Sequence, residues 1–417
     1  MQNKKIKIGF FGNTCNNQYQ TIKLLKSDDR FDLHLFIDNN SDSQQLPESD
    51  DPELKGNYPD WIHFGNYISI KSMLFPWNSL LTNEFKKCDI IIVSHFGPVF
   101  SNFSKKPTIF FPNGSDITVH PFAISFINLY YHTFKQKIGA LFMSFWQRKG
   151  IRNSYEIWTQ PFYQNLYGLN KLKVPKSKIS EDHFPIIIDL KKNEMDAFEL
   201  VEEARFLRSK YDFIIFHPSR IMLSENIKMK RTAMWKANDI LIEAYKIFIE
   251  NNPEIKAILI LIDRPASYDK EKLRAIINNQ GLNDKVIWLK PNNGFGYSRK
   301  ELAGLYSISD VVADDFGIGG FGSIVVESLC FGINTLTYID NDIAKKMYPW
   351  HPVLISKNPY EMSTILERLH YDKEFKTENA SKGPGWVKEF HTGEYVKNQY
   401  IKRLLEIYEE NYPLKNA

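Results

Sequence analysis

The sequence predicts an α/β protein with two doubly wound domains, each built on a parallel sheet. Apolar β runs alternate with amphipathic helical stretches along the chain, and 417 residues are enough for about two domains. The charged segment 170–210 separates two such series and predicts the interdomain link. We therefore expect one domain at 1–195 and a second at 205–388, with a C-terminal helix from 390–417 that packs back on the first. Two facing domains of this kind enclose one cleft at the carboxyl ends of their strands.

The predicted elements follow from the period of the apolar residues. In the first half, strands are expected at 5–11, 31–37, 88–94, 107–112 and 155–160, and helices at 17–27, 76–87 and 122–150. The polar, turn-rich segment 39–60 predicts a surface loop. In the second half, strands are expected at 212–217, 256–262, 285–289, 310–313, 334–338 and 352–356. Helices are expected there at 238–251, 269–280, 298–308, 323–331, 359–371 and 395–410.

Composition excludes several classes of protein. The apolar fraction of 43% and the charged fraction of 24% are those of a soluble globular protein, and no apolar run is long enough to predict a transmembrane helix. The N-terminus lacks the features of a signal peptide. Three widely spaced cysteines fit a reducing cytosol, and no metal-ligand spacing occurs, so we expect a cytoplasmic protein without a metal site. A net charge of +4 gives no strong signal for nucleic acid.

Positive charge is concentrated in one region of the first half. Residues 101–180 contain eleven lysines or arginines against two acids, Asp116 and Glu156, and the stretch 121–150 is rich in aromatic residues. A basic, aromatic and helical stretch can lie on an anionic membrane surface, which would place the protein peripherally at the inner face of the plasma membrane. It can also bind a lipid-linked or acidic acceptor. The alternative is that its apolar residues form core and its lysines a solvated face.

The stretch from Asp310 to Asp340 has the pattern of a diphosphate-binding unit. An apolar β run ends in acids and glycines, and a short helix follows. Glycines allow the backbone to approach a ligand, and the start of a helix at Gly322 and Ser323 offers free N–H groups to an anion. Glu327 lies about one turn into this helix, where its carboxylate can accept bonds from two ribose hydroxyls. An ordinary βαβ crossover is the alternative.

This stretch resembles the donor-sugar signature of GT-B glycosyltransferases, in particular the large retaining group with an E-x7-E motif, similar to family four. The second glutamate corresponds to Glu327, and the F-G pair to Phe321-Gly322, with the closing glycine at Gly332. Gly319 stands where the family has its first glutamate, which contacts the donor sugar. Asp314 and Asp315 are nearby acids at a different spacing that can substitute for it.

A second block, residues 212–245, carries the same resemblance. Ser219-Arg220 closes a predicted strand, and Lys236 opens a helix in which Ala237 replaces the family's usual glycine. The resemblance implies that Arg220 and Lys236 contact the donor diphosphate, and a leaving diphosphate does require fixed positive charge. The intervening loop is long and contains further basic residues. These are competing phosphate ligands or a solvated basic loop: Lys228, Lys230 and Arg231.

In the first domain, candidate residues follow predicted strands. Asp116 and His120 come after the run 107–112 in a G-S-D-I segment that is similar to segments of polysaccharide-assembling members of the group. The resemblance implies that one of them approaches the donor sugar or the acceptor, whereas an N-cap is the alternative for Asp116. Gly12 ends the first strand and allows close approach of a ligand. His95 also sits at a strand end and either lines the acceptor side or packs locally.

The resemblance therefore implies a GT-B glycosyltransferase of surface polysaccharide assembly. It would transfer a sugar from a nucleotide-diphosphate donor to a glycan or glycolipid hydroxyl, with retention and without a metal or other cofactor. The glycine-rich segment 292–299 would shape the pocket for the base. Two alternatives remain. One is a nucleotide-sugar epimerase or hydrolase on the same fold. The other is a non-catalytic GT-B partner of another transferase, an alternative that rests on Gly319 in place of the glutamate.

Overall fold

The computed structural model describes residues 4–126, 133–180, 182, 184–188, 199–264, 267, 269–291, 297 and 299–413. The chain divides into two compact units. The first unit contains Met1–Ile187 and Thr392–Ala417, and the second contains Ile188–His391. The boundary at Ile187 precedes the 195–205 interval expected from the sequence, and the C-terminal segment belongs to the first unit.

The first unit contains a six-stranded parallel sheet in the order β3-β2-β1-β4-β5-β6. Its strands are β1 (Ile6–Phe11), β2 (Phe31–Asp38), β3 (Ile62–Gly65), β4 (Ile90–Val93), β5 (Thr108–Phe110) and β6 (Glu156–Ile157). Its helices are Asn17–Leu25, Ile70–Leu74, Leu80–Lys86, Gly97–Ser101, Ser115–Thr118, Phe134–Asn153, Tyr163–Leu172 and Glu394–Asn411. Strand order reverses between β1 and β4, and ligands of such sheets bind outside the carboxyl ends at that point.

The last helix, Glu394–Asn411, completes the core of the first unit. The Tyr400 hydroxyl donates to the backbone oxygen of Pro185 at 2.8 Å, and Arg403 pairs with Glu156 of β6 at 2.9 Å. Val396, Leu404 and Ile407 of this helix are buried in one cluster with apolar residues of β1 and β2. The first sheet is therefore covered in part by the end of the chain.

The second unit contains another six-stranded sheet, in the order β12-β11-β10-β7-β8-β9, with parallel pairing. Its strands are β7 (Phe213–His217), β8 (Ala257–Ile262), β9 (Val286–Leu289), β10 (Val311–Ala313), β11 (Asn334–Thr337) and β12 (Leu354–Ile355). Its helices are Glu199–Lys210, Ile227–Arg231, Asn238–Asn251, Lys270–Asn279, Arg299–Ile308, Ser323–Cys330, Asn341–Met347, Pro359–Tyr371 and Lys373–Val387. β7, β8 and β10 are buried along their whole length, as strands covered on both faces are.

Several elements differ from the sequence prediction. Residues 170–210 do not form one link, because helix Tyr163–Leu172 runs into this segment and 199–210 is a helix whose Ala204 and Leu207 are buried against the second sheet. The helix expected at 76–87 begins at Leu80, where Ser79 caps it. Within the segment expected as one helix at 122–150, a 3-10 segment covers His120–Phe126 and an α-helix Phe134–Asn153, while 127–132 lie outside the described residues.

Other elements were missed, namely β3 and the helices Ile70–Leu74, Gly97–Ser101, Ser115–Thr118, Tyr163–Leu172, Glu199–Lys210, Ile227–Arg231, Asn341–Met347 and Lys373–Val387. Strand β3 has only four residues, too few to show a period, and helix Asn341–Met347 is only seven residues long. Helix Lys373–Val387 contains Pro384 between two glycines, a composition that disfavours helix. The structure explains the glycine at 383, because a Cβ there would lie 2.5 Å from the backbone oxygen of Leu329 in helix Ser323–Cys330. In the described part of the chain, no helix is long and apolar enough to cross a membrane.

Candidate functional site

In the second unit, predicted site residues meet at the carboxyl ends of the neighbouring strands β7 and β10. Ser219 and Arg220 follow β7, and Asp314 and Asp315 follow β10. The Ser219 hydroxyl donates a short hydrogen bond to Asp314 Oδ1. Oδ1 of Asp315 accepts the backbone N–H groups of the next turn, those of Gly317 at 2.8 Å and Ile318 at 2.9 Å. The two acids are therefore fixed beside the end of β7.

Lys236 joins this edge as a buried cation. Its Nζ lies 2.8 Å from Asp315 Oδ2, with side-chain exposures of 21% and 7%. Burial alone would lower the pKa of Lys236, but the charges of Asp315 and Asp314 outweigh it and raise the pKa above its ordinary value. Arg220 lies close enough for its charge to oppose that shift. The structure thus brings Arg220 and Lys236 to the same edge of the sheet.

A buried histidine, which the sequence analysis missed, fixes the backbone of this edge. His217 Nδ1 lies 2.7 Å from the Ala313 carbonyl oxygen, and Nε2 lies 2.6 Å from Asn238 Nδ2. A carbonyl only accepts, so Nδ1 carries the proton and Nε2 accepts from Asn238, which is the neutral imidazole. Asn238 also donates to the Arg220 carbonyl at 3.1 Å and accepts from the N–H of Met222 at 2.6 Å. Burial lowers the pKa of His217 to about 4.

Ala237 has the backbone conformation expected of the glycine that it replaces. Its φ of +53° is left-handed, its side chain is only 1% exposed, and its N–H donates to the Met222 oxygen at 2.8 Å. A left-handed alanine costs about 1 kcal/mol more than glycine. Alanine at this position therefore adopts the left-handed conformation at a small cost.

The glycine-rich turn and the helix Ser323–Cys330 form the third side of this edge. Gly319 has φ +75°, and a Cβ there would lie 3.1 Å from the Tyr338 ring. Gly322 is the N-cap of the helix and provides no side-chain cap. The first N–H groups of the helix, from Ser323 onward, have no intrahelical acceptor by geometry and carry the positive end of the helix dipole. Asp314 Oδ2 would lie 3.3 Å from a Cβ at Gly322, so the helix start adjoins the acids of β10.

Glu327 lies in the second turn of that helix and is 4% exposed. Its Oε2 accepts a hydrogen bond from the Tyr306 hydroxyl at 2.7 Å. Burial, together with the Glu327 charge, raises the pKa of Tyr306 well above its ordinary value, so this hydroxyl remains a donor. Tyr306 was not found from the sequence, since its partner lies 21 residues away.

The loop before Lys236 places its basic residues differently. Helix Ile227–Arg231 presents Lys230 and Arg231 as exposed side chains. The side chain of Lys228 lies outside the described part, as do 292–296 and 298 of the segment expected to shape a base pocket. Of the candidate lysines with described side chains, Lys236 is the one held against Asp315.

In the first unit, Asp116 joins the ends of β4 and β5. Its carboxylate accepts the N–H of Asn113 at 2.9 and 3.0 Å and the N–H of His95 at 2.9 Å. Burial raises the pKa of Asp116 to about 7, against the backbone N–H groups that favour its charged form. It is not an N-cap, because Gly114 occupies that position of helix Ser115–Thr118 with φ +109°.

His120 does not share a helical face with Asp116, since the short helix ends at Thr118. It packs instead against residues that follow β4, with ring centroids 4.6 Å from Phe96 and 5.4 Å from His95. Burial lowers the pKa of His95 to about 4 and that of His120 well below its ordinary value. Nδ1 of His120 is buried without a hydrogen-bond partner among the described residues.

A cavity of about 250 Å³ opens at the carboxyl ends of β1, β2 and β4. Its lining includes Gly12, Asn13, Asp38, Gln45, His95 and Phe96. Gly12 has φ +90°, and a Cβ there would lie 2.5 Å from the Ser94 oxygen, so both conformation and space require glycine. Among the described residues, no group of three or more His, Cys, Asp or Glu side chains is placed to hold a metal.

Two six-stranded parallel sheets, each in a Rossmann-like α/β unit, give the chain the GT-B fold. No family model and no curated protein matches the sequence.

Three solved structures are similar over nearly the whole chain. Anabaena HepE in complex with UDP-glucose has a TM-score of 0.64 and 13% identity, over 96% of this chain and 100% of that one. A glycosyltransferase from Rickettsia africae has a TM-score of 0.61 and 16% identity, over 99% and 100% of the chains. The sucrose-phosphate synthase of Thermosynechococcus elongatus has a TM-score of 0.59 and 12% identity, over 97% and 100%.

Proposed function

We propose that the protein is a glycosyltransferase that moves a sugar from a nucleotide diphosphate to a hydroxyl of a glycan or glycolipid. One observation carries this proposal. In the second unit, Lys236 and Arg220 lie at the same carboxyl edge of the sheet, and the glycine-opened start of helix Ser323–Cys330 adjoins that edge. Positive side chains beside a helix N-terminus suit a diphosphate. The GT-B fold, which HepE shares in its complex with UDP-glucose, supports the same function.

In this proposal each donor-site residue has one role. Arg220 and Lys236 neutralise the diphosphate, and the N–H groups at Gly322 and Ser323 bind its oxygens. Glu327 accepts hydrogen bonds from the ribose hydroxyls, with its carboxylate oriented by Tyr306. Asp315 keeps Lys236 charged and in place before the donor arrives.

The reaction needs no group beyond the donor, the acceptor and these side chains. The acceptor oxygen forms a bond to the anomeric carbon as the bond between that carbon and the diphosphate oxygen breaks. The leaving phosphate takes the acceptor's proton, and the new bond forms on the face that the diphosphate leaves, so configuration is retained. The reaction is independent of metal and of any cofactor. Asp116 or His120 orients the transferred sugar or the acceptor.

The setting that we propose is the assembly of a bacterial-type surface polysaccharide in the cytoplasm. The acceptor is a glycan or lipid-linked glycan, and the protein contacts the inner face of the plasma membrane peripherally. Nucleic acid is not a partner.

Two other functions suit the same fold. A nucleotide-sugar epimerase or hydrolase would use the donor site without an acceptor. A non-catalytic partner of another transferase would bind the donor weakly or not at all. Gly319, in place of the first glutamate of the E-x7-E pattern, is the feature that favours a non-catalytic partner.

The test is an assay of purified protein with a panel of nucleotide sugars, each with and without glycan and lipid-linked acceptors. Sugar transfer and release of nucleotide diphosphate are both measured. We expect turnover that requires an acceptor, and its loss in Lys236→Ala but not in Lys230→Ala, which changes an exposed lysine. Acceptor-independent turnover would indicate an epimerase or hydrolase. Absence of both turnover and donor binding would indicate a partner subunit.

A further inference from the structure

Helix Phe134–Asn153 of the first unit has apolar side chains on its exposed side as well as on its buried side. Large apolar side chains lie on its exposed side: Phe134, Leu141, Phe142 and Phe145, with exposures of 78%, 39%, 43% and 51%. Its buried side combines the apolar Met143 and Ile151 with small and polar residues: Gly139, Ala140, Ser144, Gln147 and Gly150. A surface helix of a globular protein ordinarily buries its apolar side.

Close packing explains why the small residues face inward. A Cβ at Gly150 would lie 1.9 Å from the Pro98 oxygen, so this helix touches the backbone of helix Gly97–Ser101. The buried polar side chains have backbone partners: Ser144 Oγ donates to the Pro121 oxygen at 2.6 Å, and Gln147 Nε2 to the His95 oxygen at 2.7 Å. Met143 and Ile151 of this helix belong to the core of the first unit, whereas Phe134, Phe142 and Phe145 do not.

The apolar surface continues onto the segment 70–80. Ile70, Phe75, Trp77 and Leu80 are 40–50% exposed. The rings of Phe75 and Trp77 are 5.6 Å apart, those of Trp77 and Trp146 6.1 Å, and those of Phe145 and Trp146 4.7 Å. We call this surface the aromatic face; it consists of Ile70, Phe75, Trp77, Leu80, Phe134, Leu141, Phe142 and Phe145.

The charged side chains within the segments that form the aromatic face are all positive, and Glu84, one helical turn beyond Leu80, is paired with Lys87. Residues 61–83 and 117–155, which contain the whole face, include no aspartate or glutamate. Lys71, Lys135 and Lys149 are exposed on these segments, and none of the three is paired with a carboxylate in the described part of the chain. Lys149 Nζ lies 5.4 Å from the Trp146 ring centre. The apolar surface is therefore bordered by lysines free to meet an anionic partner.

We infer that the aromatic face binds an anionic lipid surface. Phenylalanine and tryptophan side chains enter the boundary between headgroups and acyl chains, and lysines at the rim contact the acidic headgroups. A second copy of this chain fits the face less well, because face-to-face pairing would bring like-charged lysines together. The inference concerns the first unit alone and does not depend on the donor site of the second.

Vesicle co-sedimentation of the full chain tests the inference. We expect binding to vesicles of phosphatidylcholine mixed with phosphatidylglycerol, weak binding to phosphatidylcholine alone, and release by salt. Each lysine at the rim should contribute roughly a fivefold change in affinity, so Lys71→Gln/Lys135→Gln/Lys149→Gln should lower affinity strongly. Absence of binding to the mixed vesicles, or equal binding to both kinds, would overturn the inference.

Two variants distinguish binding by the aromatic face from nonspecific binding by exposed apolar side chains. Phe142→Ser/Phe145→Ser should reduce vesicle affinity by roughly tenfold or more per residue, with an unchanged melting temperature because both side chains are exposed. Phe206→Ser changes a 66% exposed phenylalanine of the second unit and should bind as the unmodified protein does. Light scattering is measured in parallel. A dimer that Phe142→Ser/Phe145→Ser dissociates, without vesicle binding, would make the face an interface between copies and overturn the lipid proposal.

Discussion

Lys236 Nζ and Asp315 Oδ2 are 2.8 Å apart at the end of β10, and both side chains are largely buried. The ion pair favours the charged form of Lys236, because the charges of Asp315 and Asp314 outweigh the lowering of its pKa by burial. An arriving diphosphate would compete with Asp315 for the same ammonium group. The pair thus holds positive charge ready at the edge where Arg220 also lies.

The first prediction concerns these two cations. Lys236→Ala and Arg220→Ala should each lower turnover on the order of a hundredfold, with a smaller change in donor affinity, because negative charge grows on the diphosphate as the bond breaks. The double variant should fall short of the product of the single effects, since both residues serve one charge. Steady-state kinetics measure all three variants, with Lys230→Ala as the control. Normal turnover in Lys236→Ala would remove Lys236 from the diphosphate site.

The second prediction concerns Glu327. Glu327→Ala should weaken donor binding by roughly 1.5–3 kcal/mol, because a charged hydrogen-bond partner of the ribose is lost. Tyr306→Phe leaves the carboxylate in place and removes only the hydroxyl that orients it, so the loss of affinity should be smaller. Calorimetry of donor binding measures both effects. Equal donor affinity of Glu327→Ala and the unmodified protein would show that the carboxylate is purely structural.

The third prediction concerns Gly319, which stands at the position of the first glutamate in the E-x7-E pattern that the sequence resembles. Gly319→Glu should not increase turnover and should destabilise the fold by roughly 1–2 kcal/mol, because the left-handed φ of +75° disfavours any side chain. Contact with the Tyr338 ring adds to this cost. A second variant, Gly319→Ala, measures the cost of any side chain at this position. Its matched control is Gly281→Ala, because Gly281 also has a left-handed φ, +68°, but has open space around it. Urea unfolding should find Gly319→Ala the more destabilised of the two, and a gain of activity in Gly319→Glu would contradict the prediction.

The fourth prediction is a dependence of stability on pH through His217. Its folded pKa of about 4 lies below the ordinary value of 6.5, so the unfolded chain binds the proton more tightly. The stability contributed by the neutral ring is complete above pH 6.5 and is lost as pH falls through 4. Between pH 7 and pH 5 the loss should be about 2 kcal/mol.

Urea unfolding of the unmodified protein and of His217→Gln, at both pH values, isolates this contribution. Other buried histidines, such as His95, titrate in the same window in both proteins. The difference between the two proteins in how their unfolding free energy changes with pH therefore belongs to His217. An equal change of unfolding free energy with pH in both proteins would show that the ring does not hold its neutral form in the folded state.

The fifth prediction concerns metal ions. Turnover should survive excess chelator, because Arg220 and Lys236 supply the charge that a metal would provide at the diphosphate. The assay is repeated after dialysis against chelator, then with added magnesium or manganese. Activity that disappears with chelator and returns with either ion would assign the diphosphate to a metal.

The sequence predicted those parts of the fold in which one local signal is strong. Strands such as β4 and β8 are apolar runs, and helix Asn238–Asn251 was predicted with the observed limits because its period is regular and Pro253 follows its end. β3 and helix Lys373–Val387 were missed, because a four-residue strand and a helix containing Pro384 are specified by their neighbours rather than by their own composition.

The residues of the candidate site likewise divide into those found from local motifs and those recognised only from contacts in the folded protein. Arg220, Lys236 and Glu327 were selected from motifs within short segments. His217 and Tyr306, which hold the backbone and the carboxylate in place, act on residues brought near only by folding. Asp116 was chosen because it follows the run 107–112, but its contact with the backbone N–H of His95 after β4 could not be read from that local segment.

The return of the chain to the first unit also sets the order in which the protein can be completed during synthesis. Residues 188–391 leave the ribosome before the final helix, so the second unit can fold while the first still lacks Tyr400, Leu404 and Ile407. During that interval the apolar residues of β1 and β2 lack the part of their cover that the final helix later provides. The first unit therefore exposes apolar surface until synthesis is finished, and such surface favours aggregation.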